Sequence, residues 1–337
     1  MKKGVLLVNL GTPDSTSVPD VRKYLREFLL DKRVIDIPTI PRNLLVNGII
    51  APFRAPKSAA EYRKLWTEQG SPLKVYSESM VALLQNMLGE EYVVALGMRY
   101  QSPSIASGLE KLIEQDVESI LVVSLFPQYA SATTGSVVDK VMEIAKNWQI
   151  IPNISFVNKF FDHPLFIQTI VERAKEQMTS DHYDHYVFSY HGLPERQIIK
   201  GSVKEYCKLG TCCNTYEKRN QYCYRAQCFQ TSYLIADALE LKPEQYTICF
   251  QSRLGKTPWI QPYTEDVVID LAKKGKKKVL AFSPAFVADC LETTIEIGET
   301  YKEDFEHHGG EKWQLVESLN EHPLWIECLK QLVEENQ

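Results

Sequence analysis

Five short runs of aliphatic and β-branched residues punctuate the chain, each closing on a Gly, Pro or Ser turn. They are GVLLVNLGTP (4–13), SILVVSLFPQ (119–128), HYVFSYHGLP (185–194), YTICFQSRLG (246–255) and KVLAFSPAFV (278–287). The runs are continuous rather than alternating, which is the pattern of strands buried on both faces of a parallel sheet. Between them lie segments of helical period, such as PLFIQTIVERAKEQM (164–178) and QTSYLIADALEL (230–241). The alternation predicts an α/β protein, with ligands outside the carboxyl ends of the strands.

The two halves echo each other: NLGTP and YHGLP each end a strand in a Gly-Pro turn, and SLFPQY and FSPAF each run a strand into proline and an aromatic. A chain of 337 residues suits two domains of roughly 150 residues each. The reading places one at 1–160, completed by 315–337 through the last helix HPLWIECLKQLVEE (322–335), and the other at 161–314, carrying a Cys-rich insertion at 207–228.

Composition narrows the function classes. Hydrophobic content of 44% and charged content of 24% are those of a folded soluble protein. A net charge of −5 and a pI near 5.9 argue against nucleic acid as a partner, because a polyanion binder needs a basic face. The opening MKKGVLLVNLGTPD is interrupted by Asn9, Gly11, Pro13 and Asp14 and reads as a first strand rather than a signal peptide, so the expected compartment is the cytoplasm. LLVNGIIAPF (44–53) is about half of a membrane span. It reads either as a peripheral contact on the inner membrane face or as a core segment or lip over a pocket.

Candidate chemistry clusters at strand ends. His191 leaves an apolar strand and is followed by Gly192 and Pro194, which hold its imidazole there; it reads equally as a catalyst or a bonded loop residue. His163, His307, His308 and His322 read as helix-end residues. The DHYDHY turn (181–186) reads as a solvated turn, with a metal site as the alternative. Asp289, Glu292, Glu296, Glu299 and Glu303 recur at spacings of three and four, which at about 100° per residue predicts one acidic stripe. Glu299 and Glu303 read as solvated. Asp289 and Glu292, next to a strand end, read as a site for a cation or for protons. Arg99 in GMRYQSPS offers a fork for a carboxylate, and FPQYASATTGS (126–136) offers hydroxyls and N–H groups to an anion. No GxGxxG or P-loop is present, which leaves nucleotide chemistry unsupported.

CKLGTCCNTYEKRNQYCYRAQC (207–228) holds five of the eight cysteines. In a reducing cytoplasm, metal explains them better than disulfides. Cys249 and Cys328 sit on apolar patterns and read as buried.

FSYHGLPER, FQSRLGKTPWIQPYTE, FVADCLETTIEI, LGMRYQSPS and FPQYASATTGS together resemble ferrochelatase, the lyase that inserts ferrous iron into protoporphyrin IX at the last step of haem biosynthesis. The match runs in order from residue 9 to the last helix. It implies two similar Rossmann-like domains with parallel sheets, the chelatase fold, around a porphyrin cleft. It implies that His191 deprotonates pyrrole or binds metal, with Glu292 facing it, and that Asp289 and Glu296 carry iron or protons. Arg99, Tyr100, Tyr129, Ser131, Trp259 and Phe286 are implied to line the porphyrin pocket. Cys290 departs from the histidine of many members, which makes a histidine there dispensable. Coproporphyrin or sirohydrochlorin is the alternative substrate, and a haem or iron–sulfur carrier without turnover the alternative class.

The cysteine segment resembles that of bacterial members carrying a two-iron, two-sulfur (2Fe-2S) cluster. Four of Cys207, Cys212, Cys213, Cys223 and Cys228 would ligate it, with zinc as runner-up. The spare thiol is expected in the adjacent pair Cys212 and Cys213.

Overall fold

A computed structural model describes residues 2–179, 181–255 and 257–337. The chain divides into two compact units. The first comprises Met1–Phe126, Ala130–Lys159 and Ile326–Gln337; the second comprises Pro127–Tyr129 and Phe160–Trp325.

In the first unit, strands β1 (Lys3–Gly11), β2 (Tyr92–Tyr100), β3 (Ser119–Ser124) and β4 (Asn153–Val157) form a parallel sheet in the order β2-β1-β3-β4. β1 lies in the middle, with Val5 paired to Val94 on one side and Leu121 on the other. Val5, Leu6, Leu7 and Val8 are all wholly buried. This explains the unbroken apolar run, since a central strand covered by helices has no wet face on which to place a polar residue. Leu6 and Val8 pack with Ile105, Leu109, Val137 and Val141 from the covering helices.

The second unit repeats this order. Strands β5 (His185–His191), β6 (Tyr246–Gln251), β7 (Lys278–Phe282) and β8 (Lys312–Leu315) form the parallel sheet β6-β5-β7-β8. The echoed motifs therefore occupy matching places: the Gly-Pro turns follow the central strands β1 and β5, and the proline-aromatic turns follow β3 and β7. Both glycines are required by close approach. A Cβ on Gly11, which has φ of +110°, would lie 2.0 Å from the Tyr100 carbonyl oxygen, and one on Gly192 would lie 2.8 Å from that of Gln251.

Strands β2, β4 and β8 escaped the apolar-run reading. β2 is interrupted by Gly97 and Arg99, and β4 and β8 are short and only partly buried.

The DHYDHY turn is an anchor for β7 and β8. Asp181 pairs with Lys278 at 2.7 Å and Lys312 at 3.0 Å, which together hold its carboxyl well below the usual range. Asp184 accepts the N–H groups of Lys277 and Lys278, each at 2.8 Å. His185 is buried, which lowers its pKa to about 4, and its Nε2 meets Thr247 at 2.9 Å.

Among the described residues no helix is long and apolar enough to cross a membrane. Residues 44–50 form a π-helix that leads into the helix Ala51–Leu65. Val46 and Ala51 are wholly buried there, whereas Ile40, Leu44, Ile49 and Phe53 are 76%, 70%, 59% and 79% exposed.

The acidic segment differs from the single stripe its spacing predicts. Asp289 precedes the helix, Leu291–Thr300 is a π-helix, and only Tyr301–His307 is α-helical. A π-helix bonds i to i+5 and winds less per residue than an α-helix, so the angle that aligned the five acids does not apply. Glu299 and Glu303 are exposed, and Asp289, Glu292 and Glu296 are partly covered.

Candidate active site

In the second unit His191 is the last residue of β5 and Gln251, its register partner, the last of β6. The His191 Nδ1 lies 2.7 Å from the Gly192 carbonyl oxygen. A carbonyl can only accept, so Nδ1 carries the proton, and in the neutral ring Nε2 keeps its lone pair. Trp259 packs beside the imidazole with ring centroids 6.4 Å apart, and its indole Nε1 is buried without a hydrogen-bond partner among the described residues.

Gln251, which the sequence reading did not single out, joins the strand ends to the π-helix. It is buried, and its Oε1 accepts from Ser189 Oγ at 2.7 Å. Its Nε2 donates to the Glu292 carbonyl oxygen at 3.2 Å and to Glu296 Oε2 at 3.1 Å. Glu296 also accepts from Ser252 Oγ at 2.5 Å and Tyr301 OH at 3.0 Å. Three donors on two oxygens make it an anchor between β6 and the π-helix. Tyr301 is raised far above an ordinary phenol by burial and then by the Glu296 charge, so it remains a donor.

Asp289 is clamped by Asn320, whose Oδ1 accepts its N–H at 3.0 Å while Nδ2 donates to its Oδ2 at 2.9 Å. Asn320 is buried and left-handed at φ 46°, a backbone region that asparagine tolerates better than most residues. Cys290 is held as a thiol, its pKa raised by burial and then by the charge of Glu292 beside it. Phe286, between β7 and this segment, is partly exposed.

In the first unit Arg99 is turned inward. Its Nη2 meets Asp31 Oδ2 at 2.6 Å, and its Nε donates to Ser136 Oγ at 2.6 Å. The fork that the sequence offers to a ligand carboxylate meets a protein one, Asp31, which sequence spacing could not place there. Tyr100 is likewise interior, fully buried with its OH 3.0 Å from Asp31. Burial opposes ionisation of Asp31, but the Ser136 bond, the Arg33 N–H, the Arg99 charge and Tyr100 outweigh it and hold the carboxyl below its usual range. Ser131 is exposed and accepts from Arg33 Nη1 at 3.1 Å. Tyr129 groups with the second unit.

Four cysteines of the 207–228 segment are neighbours. The Cys212 and Cys213 sulfurs are 3.9 Å apart, Cys207 hydrogen-bonds Cys212, and Cys213 hydrogen-bonds Cys223. Cys207, Cys212 and Cys223 line one small cavity with Tyr206 and Asn220. Cys223 caps the helix Tyr224–Ala238. Its thiol lies below the usual range because Cys213 donates to it, aided by the Ala226 and Arg225 N–H groups. Cys228 is set apart inside that helix, wholly buried and raised well above an ordinary thiol by burial. It is therefore the odd thiol out, where the sequence reading chose one of the adjacent pair. Among the described residues no three His, Cys, Asp or Glu side chains are arranged to hold a metal ion.

A family model described as Ferrochelatase matches residues 2–337. A ferrochelatase of Legionella pneumophila (strain Lens) is 50% identical over 335 residues, covering 99% of either chain. One of Coxiella burnetii (strain Dugway 5J108-111) is 44% identical over 340 residues, covering 99% of this chain and 94% of that one. Among solved structures, the sirohydrochlorin chelatase SirB from Bacillus subtilis subspecies spizizenii, in complex with cobalt, superposes with a TM-score of 0.55. It does so at 12% identity, over 99% of this chain and 95% of that chain. That likeness is one of fold: two four-stranded parallel sheets of the chelatase kind. A match over the whole chain and relatives sharing half of its residues settle the family: the chain belongs to the ferrochelatases, which insert iron into porphyrin.

Proposed function

We propose that the chain inserts ferrous iron into protoporphyrin IX, yielding protohaem and two protons, the final step of haem formation and a lyase reaction by class. The observation that carries the site assignment is the His191 tautomer at the end of β5, with Nδ1–H spent on Gly192 and the Nε2 lone pair left to accept. As iron replaces two pyrrole N–H protons, His191 Nε2 accepts one of them. Glu292, in the first turn of the π-helix, serves the metal or the second proton. Asp289 supports the same path, and Glu296, held by three donors, positions the π-helix. Trp259, Phe286, Tyr129 and Ser131 contact the macrocycle. Arg99 and Tyr100 act from within the first unit, where both are joined to Asp31. The exposed apolar face at Ile40, Leu44, Ile49 and Phe53 is where a peripheral membrane contact would form.

Zinc insertion into protoporphyrin, read by fluorescence, tests this. His191→Ala and Glu292→Gln should each lower turnover by roughly two orders of magnitude, the range of general acid–base groups, and Glu303→Gln by less than about tenfold. Absence of any metalloporphyrin overturns the assignment, and equal or faster turnover of coproporphyrin moves the substrate.

The paired cysteines fit a 2Fe-2S cluster better than one zinc ion, because such a cluster takes two thiolates at each iron whereas closed zinc needs four at one point. Cys207, Cys212, Cys213 and Cys223 would hold it, and the Cys223 thiol is held below the usual range by Cys213, which donates to it, and by the Ala226 N–H. A bound cluster would supply a cross-link for a segment short of regular structure.

A further inference from the structure

Strand β5 outruns its neighbour β7. Pairing with β7 ends at Phe188, whereas pairing with β6 continues to His191. The last three residues of β5 therefore have a strand on one side only. The helix Tyr224–Ala238 supplies contacts to them: Tyr224 OH donates to the His191 carbonyl oxygen at 2.9 Å, and Ser232 Oγ meets Tyr190 OH at 2.8 Å. Tyr224 is buried, so its bond to the His191 backbone is shielded from competing water.

The same helical turn reaches a second predicted site residue. Gln227, wholly buried, accepts the Tyr129 N–H at 2.6 Å and donates to the Gln221 carbonyl at 2.7 Å. This turn begins at Cys223, its cap, and is tied back to the cysteine segment by Arg225, which donates to the Gly210 carbonyl at 3.1 Å. The segment itself is gathered by Asn220. Its Nδ2 donates to the carbonyls of Cys212 at 2.9 Å and Thr215 at 2.7 Å, and its own carbonyl accepts the Cys223 N–H at 2.8 Å.

We propose that Tyr224 is a positioning residue for His191, through which the order of the cysteine segment sets the height of the imidazole at the end of β5. The inference rests on His191 being the proton acceptor. A segment that loosens releases the first turn of the helix, Tyr224 leaves the His191 carbonyl, and the strand end loses its lateral support. Catalysis then depends on the cysteine segment without any thiol touching the porphyrin.

The test is a cycle of Tyr224→Phe and Asn220→Ala in the full chain. The first removes the phenolic hydroxyl, and with it a contact to the Cys228 thiol; the second loosens the segment and spares every thiol. The readouts are steady-state zinc–porphyrin turnover and the ring resonances of His191 in protein labelled at histidine, assigned through His191→Ala. Each single variant should lower kcat by roughly three- to tenfold, the effect of losing one neutral hydrogen bond, with KM for porphyrin unchanged. Each should shift the same His191 resonance, and the double variant should be no slower than the slower single one. Unchanged kcat and resonance in Tyr224→Phe, or effects that multiply in the double variant, would overturn the proposal. If His191→Ala keeps full turnover while both variants still move the resonance, the strut stands and the proton-acceptor role fails. Should Asn220→Ala not fold, the Tyr224→Phe resonance alone decides.

Discussion

Replacing Asp31 by Asn tests the buried pair that turns Arg99 inward. The carboxylate is 4% exposed and the guanidinium 14%. Arg99, Tyr100 and Ser136 all donate to Oδ2, and the Arg33 N–H donates to the other oxygen at 2.7 Å. An amide offers one acceptor oxygen where the carboxylate offered two, so its NH₂ must face at least one donor while Arg99 keeps an unpaired charge. Breaking one side of a buried pair costs about 3–5 kcal/mol. Arg99 retains a little solvent contact, which favours the lower end, about 3 kcal/mol, or a fall in Tm of roughly 6–12 °C for a unit of this size. Differential scanning calorimetry with urea unfolding followed by circular dichroism measures it. Adding Arg99→Met should recover at least half of the loss, because the stranded charge goes with it. The pH dependence has a fixed sign. The folded pKa of Asp31 lies below the ordinary 3.8, so its contribution is complete above that value and disappears as pH falls through the lower folded pKa. Asp31→Asn should flatten stability in that acid window. A loss under about 1 kcal/mol, or a double variant no better than the single one, would refute the reasoning.

Gly192→Ala should lower kcat by about tenfold while leaving binding of porphyrin intact, since its Cβ meets the Gln251 oxygen at 2.8 Å and shifts the adjacent His191 away from its working geometry. Wild-type turnover in that variant would show that the turn can yield. Serine at Cys213 or Cys223 should abolish the metal content of anaerobically purified protein, whereas Cys228→Ser should keep it; metal analysis and visible absorbance decide, and loss of colour in Cys228→Ser would restore it to the ligand set.

The pattern along the chain carried the architecture because parallel strands covered on both faces leave no freedom for polar residues. That requirement is local and recurs at the central strands, as at Val5–Val8 and at Val187 and Phe188, while the buried Ser189 beyond them is held by Gln251. It also placed His191 and Gly192 at a strand end, and helix-end histidines such as His163, which accepts the Leu165 N–H at 3.2 Å. Short or polar edge strands such as β8 lacked that signal. What only the tertiary structure decided are pairings between residues distant in the chain. Asp31 finds Arg99 across 68 positions, Gln251 finds Glu296 across 45, and Tyr224 finds His191 across 33. The acids were legible as a group, but whether they share one face depends on helical winding, which their spacing does not fix. The cysteines were legible as a group, but their surroundings were not. Thiol count is a property of the sequence, whereas which thiol is shut inside a helix, as Cys228 is, depends on where the backbone turns.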